Sequence, residues 1–596
     1  MGEAKESSSL IEYGAAASSV AAFAAAVSVT SDTLDLHGAS QTENRSTSSQ
    51  SEEGADETLS AENKAAARTI LHASLFASTS TIADFKRSGR GRWLNKQMRS
   101  SSGDEAEEFF SREGFDEVNS SQHWRRDYYF DHMIWSDLMA GGSAVRKRMA
   151  IALSEIFVVS LNGLDMSWPA QAVGWYWDTL KRHAFGNYRE LIEEIALSPA
   201  MGVFLDTRGN QHSDPTSGRV PDENFARELL QLFSIGLYEL EADGQPRLRG
   251  GRPIETYSNE DVEGLARVFT GYDLDYTDVE FQPHPLGRRR SPIPSPKVVR
   301  QRMTVDPAKW WPAAGTSLHS LEEKSFLGAT IPPGTGPEDS LQIALDVIFN
   351  HPNVGPFISK QLIQRLVTSN PSPGYVWRVA RRFNNNGKGV RGDLGAVFRA
   401  IIRDKEANAT STLVDPSAGK LREPMLRYAQ WGRTFGARSP SGQWEMRDLS
   451  EIGLLNQAPF RSPSVFNFFR PGYVPPTTQA AANDLVVPEF QIVNESSVAA
   501  YLNFMRGAVE GEAYWSGDVS ASYSNETAIA HEPTKLLDHL DLILTAGQLS
   551  DFVRGRILES IEAVGLPPED DDEARLLRAQ VGVLLTMLSN DYLVQR

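Results

Sequence analysis

From Ala65 onward, apolar residues recur every three or four positions, interrupted by short runs of Pro, Gly and Asn. That rhythm predicts a succession of amphipathic helices joined by short loops. Ala65–Ala77 and Ile82–Gln97 read as the first two. In Val145–Ser160 the stripe Val145, Met149, Ala152, Ile156 and Val159 is flanked by Leu153 and Phe157. Such a stripe is wider than one face, so this helix is expected to be covered on most sides. Trp175–His183 and Tyr188–Leu197 follow, joined at Gly186-Asn187.

Asp222, behind Pro221, predicts the N-cap of a helix that runs to Ser234 and stops at Gly236. Ser258-Asn259-Glu260-Asp261 has the form of a capping box with Asp in place of Glu, and its helix is expected to end at Gly271. Asp339–Asn350, Val354–Thr368, Gly374–Asn384 and Asp393–Asp404 continue the series. Strand patterns are few, and Gln245–Leu248 with Pro253–Tyr257 is read as a small hairpin. Asp275–Pro333 is too long and proline-rich for an ordinary loop, which marks a functional or flexible insertion. The expected fold is mainly α. It is a large single multi-helix domain over residues 64–596, with a long irregular insertion at 275–333 and few short strands.

Composition changes this picture at the N-terminus. Residues 1–63 are Ser- and Ala-rich and hold 11 acidic residues against 2 basic, a net −9 of the chain's −18. Such a segment cannot bury enough apolar surface to offset its ordering entropy, so it reads as a disordered acidic tail. Gly14–Val29 is weakly apolar, but the preceding Met1–Ser9 carries one Lys and two Glu. It is read first as tail and second as a degenerate export signal. The rest of the chain carries the other −9, which argues against a nucleic-acid partner. No apolar run of about 20 residues exists to span a membrane. The absence of Cys excludes disulfides, thiolate metal sites and a thiol nucleophile.

Strong catalytic motifs are lacking, and no two of the 11 His are spaced to pair on a helix, so no metal site is expected. The most informative helix is Asp222–Phe233. Asn224, Arg227, Glu228 and Gln231 fall on one face, beside apolar Phe225, Leu229, Leu232 and Phe233. That face can hold a polar ligand, or it can close into a structural ion-pair network. Glu155 lies in the apolar run IALSEIFVV, where its carboxyl either acts as a general acid or meets an arginine such as Arg227. His319 and Lys324, with Glu322 and Glu323, end the insertion and offer proton transfer or simple surface hydrogen bonding. The insertion's basic run (Arg288, Arg289, Arg290, Lys297, Arg300, Arg302, Lys309) with Trp310 and Trp311 is a candidate surface for an acidic glycan. Pro459–Tyr473 (PFRSPSVFNFFRPGY) reads as a packed, non-helical lid or connector. Candidate acid/base groups are therefore Glu228, Glu155 and His319. Candidate ligand contacts are Asn224, Arg227, Gln231, Lys324, Trp310 and Trp311.

Several of these segments, in this order, resemble the bacterial family called domain of unknown function 1800. They are RKRMAIALSEIFVVS (146–160), FGNYRELIEEIALSPAMGVFLD (185–206), ENFARELLQLFSIGL (223–237), TYSNEDVEGLARVFTGYD (256–273), HSLEEKSFLG (319–328), HPNVGPFISKQLIQRLV (351–367), PFRSPSVFNFFRPGY and the terminal LSNDYLVQR. The resemblance covers roughly residues 65–596. It implies a periplasmic or cell-surface setting, a link to surface polysaccharide or envelope processing, and a sulfatase-like exported partner. Carried over by position, the family's Asn-x-x-Arg-Glu core falls on Asn224, Arg227 and Glu228, its Thr-Gly on Thr270 and Gly271, and its His on His319. This chain departs in having Ser198 where a His is common, and in lacking a clear export signal. Cofactor and catalytic status stay open. The alternative is a non-catalytic scaffold or binding partner of another exported protein.

Overall fold

In the computed structural model, residues 57–287, 290–512, 517–567 and 571–596 are described. The acidic-tail assignment for residues 1–56, and Arg288 and Arg289 of the basic run, lie outside them. Among the described residues α-helices dominate. β-structure is confined to short antiparallel pairs: Leu248–Arg249 with Arg252–Pro253, Phe281–Gln282 with Ile293–Pro294, Lys324–Phe326 with Ala329–Ile331, and Lys420–Leu421 with Val594–Gln595. The last pair ties the chain's final residues back to its middle.

The helices form where the pattern placed them, with informative displacements. The first runs over Ala61–Ala73, four residues earlier than expected, because the Ser60 hydroxyl accepts from the Asn63 amide at 3.4 Å. The expected helix Ile82–Gln97 is two, Thr79–Ser88 and Arg90–Arg99, separated by Gly89 at φ 74°. The N-cap expected at Asp222 falls on Glu223, which makes no side-chain cap; Asp222 accepts from the Asn224 amide at 2.8 Å one residue earlier, and the helix covers only Asn224–Gln231. The capping box forms as read: Asp261 N–H donates to the Ser258 hydroxyl, and Ser258 N–H to the Asp261 carboxylate at 2.8 Å. Pro337–Asn350, Val354–Leu366, Pro373–Asn384 and Leu394–Arg403 fill the predicted series of four.

The largest displacement bears on function. The helix expected over Val145–Ser160 ends at Ser154, and Glu155 is its C-cap. Beyond it the chain runs over to Pro459–Tyr473. Leu161 N–H donates to Phe460 C=O at 2.9 Å, and the Ser160 hydroxyl donates to Ser462 C=O at 2.7 Å. Long-range backbone hydrogen bonding thus overrides the local helical pattern there.

Helix Pro169–His183 is the architectural centre. Helices Ala106–Arg112, Tyr129–Met139, Ala144–Ser154 and Tyr188–Ala196 pack around it. Trp93, Trp135, Trp168, Trp177 and Trp431 are fully buried, and the buried apolar residues join in one cluster from Ala66 to Tyr592. Apolar burial on this scale is the main stabilising term. Charges within it are paired: Lys147 with Asp137 at 2.8 Å, Lys181 with Asp178 at 2.9 Å, and Arg461 with Asp131 and Asp127.

The insertion is less irregular than expected. Ile293, Val298 and Val299 are buried. Its basic residues are largely neutralised by the protein itself: Arg300 by Glu107 at 2.8 Å, Arg302 by Glu194 at 2.8 Å, Lys297 by Asp278 at 3.5 Å and Lys309 by Asp275 at 3.8 Å. Among the described residues no helix is long and apolar enough to cross a membrane.

Candidate functional site

Helix Val354–Leu366 is buried on nearly all sides, yet it carries a polar stripe. Phe357, Lys360, Gln361, Gln364 and Arg365 fall at i, i+3, i+4, i+7 and i+8, which is one helical face. That face looks into a cavity of about 420 Å³. The end of helix Asn224–Gln231 and its exit turn form the second wall, with Gln231, Leu232, Leu237 and Tyr238. Gly236 is required in that turn. Its φ is 74°, and a Cβ there would lie 2.6 Å from the Phe357 ring. The third wall is Val465, Phe466, Arg470 and Pro471 from the non-helical connector. The Gln364 side-chain amide donates to Pro471 C=O at 3.3 Å, which holds connector to helix.

Glu155 and Ile156 close the cavity where helix Ala144–Ser154 stops. The Glu155 carboxyl is 3 % exposed, and its nearest cation is Arg365 Nε at 3.4 Å. Neither of its oxygens accepts a hydrogen bond from a donor. Arg365 instead donates through Nη2 to the Glu155 backbone carbonyl at 2.9 Å. Burial, together with the adjacent Glu423 carboxylate, pushes the Glu155 carboxyl well above the usual range. Glu423 is held below the ordinary value: burial opposes this, but Lys420 at 3.1 Å, the Glu155 acid and Arg148 outweigh it. Lys420 also meets Glu489 at 3.1 Å, and Gln457 donates to Glu423 at 3.0 Å. Arg148, Lys420, Glu423 and Glu489 lie behind Glu155 and Arg365 and do not line the cavity. Arg148 Nη1 has no hydrogen-bond partner. The cavity thus joins apolar walls to the Glu155 carboxyl and the Arg365 guanidinium.

The structure separates the residues singled out from sequence. Glu155 and Gln231 line this cavity; Asn224, Arg227, Glu228, His319, Lys324, Trp310 and Trp311 do not. Arg227 is 38 % exposed and pairs along its own helix with Glu223 at 2.7 Å, so it is not the partner of Glu155. Asn224 donates to Asp206 at 3.0 Å. Glu228 is buried with one oxygen unpartnered, and burial raises its pKa. Gln231 accepts from the Tyr257 hydroxyl at 3.2 Å.

His319 packs against Thr270 and Gly271. Its Nδ1 lies 2.9 Å from Thr270 C=O, so Nδ1–H donates there, while Nε2 is buried without a partner. Burial lowers its pKa, which keeps the ring neutral. Lys324 is buried and donates to Glu322 C=O at 3.3 Å. Trp310 is buried with Nε1 donating to Thr304 C=O at 3.2 Å, so it offers no ring face to a ligand. Trp311 is 59 % exposed and leans on Phe281, ring centroids 4.5 Å apart. The Asn224–Arg227–Glu228 face and His319 therefore do not converge on a common cavity. Of the residues that do converge, Lys360, Gln361, Gln364 and Arg365 carried a readable signal, a polar stripe on a helix whose other faces are apolar apart from Ser359, while Arg470 comes from the connector.

Among the described residues no group of three or more His, Asp or Glu is arranged to hold a metal ion. A family model described as protein of unknown function (DUF1800) matches residues 68–594. No curated protein and no solved structure matches the chain.

Proposed function

We propose, for a chain that belongs to the DUF1800 family of proteins of unknown function, that it binds a small molecule with an apolar body and an oxygen-bearing polar end. The carrying observation is the cavity of about 420 Å³ whose apolar walls lead to Glu155 and Arg365. Its volume lies in the range of small-molecule sites, as does its pattern of apolar lining with few convergent polar groups. Glu155, in its protonated form, donates a hydrogen bond to the ligand oxygen, and Arg365 stabilises the negative partial charge on that oxygen. Arg470, which lies 4.9 Å over the Phe466 ring, guards the mouth.

Anilinonaphthalene sulfonate, an apolar dye with an anionic end, tests this. Saturable one-site fluorescence enhancement is expected, lost when Val465→Trp or the rim variant Leu237→Trp fills the space. Equal dye binding in both variants would refute the cavity as the site. It would then favour the scaffold reading, in which the buried polar groups only fix the fold.

A second reading, an acidic-glycan surface in an extracytoplasmic setting, is favoured by exposed Trp311, packed at a tilt beside Phe281 and Tyr276. Quenching of tryptophan fluorescence by polygalacturonate, abolished in Trp311→Ala, supports it; no quenching removes it. The internal neutralisation of the nearby basic residues makes it the weaker of the two.

A further inference from the structure

Lys360 is the cavity residue whose chemistry the binding reading does not use. It sits midway along the polar stripe of helix Val354–Leu366, between Phe357 and Gln364, on the cavity wall. Its side chain is half-buried, and among the described residues its amine enters no ion pair. Glu155, on the cavity wall, faces Arg365, and Glu423 and Glu489 behind it meet Lys420. Apolar surroundings therefore act on this amine without a compensating anion. Burial lowers its pKa. Lysines in such settings carry a larger share of free amine near neutral pH, as imine chemistry requires.

We propose that Lys360 forms an imine with an aldehyde or ketone seated in the cavity, a covalent activity that rests on the binding reading above. The Nζ lone pair attacks the carbonyl carbon, the C=O π pair moves to oxygen, and a proton passes from nitrogen to that oxygen to give a carbinolamine. Its hydroxyl leaves as water with a proton taken from the Glu155 acid, which recovers one from solvent through the cavity mouth. The nitrogen lone pair forms the C=N bond, leaving a protonated imine. No oxidant or metal is needed. Arg365 favours the same geometry, since it stabilises negative charge on the carbonyl oxygen while the amine attacks.

The test is trapping on the full chain with decanal and cyanoborohydride at neutral pH, followed by peptide mapping. Lys360 is expected to carry at least about tenfold more reduced adduct than exposed Lys388 or Lys405. Excess anilinonaphthalene sulfonate should protect it. Lys360→Met should lose the adduct. The protection arm needs no variant, so it stands even if that substitution destabilises the fold. Adduct spread evenly over exposed lysines, with dye binding intact, overturns the imine and leaves the binding reading standing. Absence of saturable dye binding overturns both.

Discussion

Helices Asn224–Gln231 and Val354–Leu366 both carry polar stripes, and they use them in opposite ways. On the first, Arg227 bonds Glu223 one turn away and Asn224 reaches Asp206. Its partly exposed residues satisfy one another beside solvent. On the second, solvent is excluded by neighbouring helices, so Lys360, Gln361, Gln364 and Arg365 must find partners inside the protein or border a space. A polar face on an amphipathic surface helix needs no special explanation, because water covers it. A polar face on a helix buried all round carries a desolvation cost that a packed structural helix avoids, and here it borders a cavity.

The largest expected break in this comparison lies behind the cavity. Lys420→Met strands Glu423 and Glu489, both buried, without their shared cation. Such a loss costs about 3–5 kcal/mol. Chemical denaturation should show a strongly lowered midpoint; an unchanged midpoint would mean that the cluster is solvated and its charges are not paired as described.

Ser258→Ala comes next. It removes a hydroxyl accepting the Asp261 amide and should cost about 1 kcal/mol. No change on thermal unfolding would show that the capping box is replaced by water.

Arg227→Ala should be smaller, under about 1 kcal/mol, because its pair with Glu223 is more than a third exposed on both sides. A loss as large as that of Lys420→Met would mean the first helix does carry a buried network, and the contrast would fail.

Glu155→Gln sharpens the contrast through pH. The folded-state pKa of Glu155 is raised, so the native state binds the proton more tightly than the unfolded chain does. Its contribution is therefore fully present below the unfolded carboxylate pKa, near 4.3, and is lost as pH rises toward the folded value. Glutamine resembles the protonated acid and does not titrate. The stability of the wild-type chain relative to Glu155→Gln should thus fall as pH rises above the ordinary carboxylate range. A difference that grows with pH would show that Glu155 is ionised and paired.

Much of the fold was legible because helix formation is local. The Ser258–Asp261 box and the four helices from Pro337 to Arg403 were readable from caps, breakers and apolar spacing within a few residues. The site was legible only in part. Glu155 announced itself as a carboxylate in an apolar run, and Gln231 as a member of a polar face. An arginine partner for Glu155 was expected, with Arg227 as the example; the fold supplies Arg365, 210 residues along the chain. No periodicity reports a pairing over that separation, because it depends on how whole helices stack.

The chain alone determined a helical protein, its family, and most helix positions, since these follow from backbone hydrogen bonding and side-chain spacing over a few turns. The tertiary structure alone decided that the helix at Val145 stops at Ser154 and that Trp310 turns inward. It also decided that the insertion's charges are spent on neighbouring carboxylates, and that Glu155, Lys360 and Arg365 share one cavity. Each of those outcomes balances desolvation against a partner supplied from a distant segment, and that partner exists only once the core has closed.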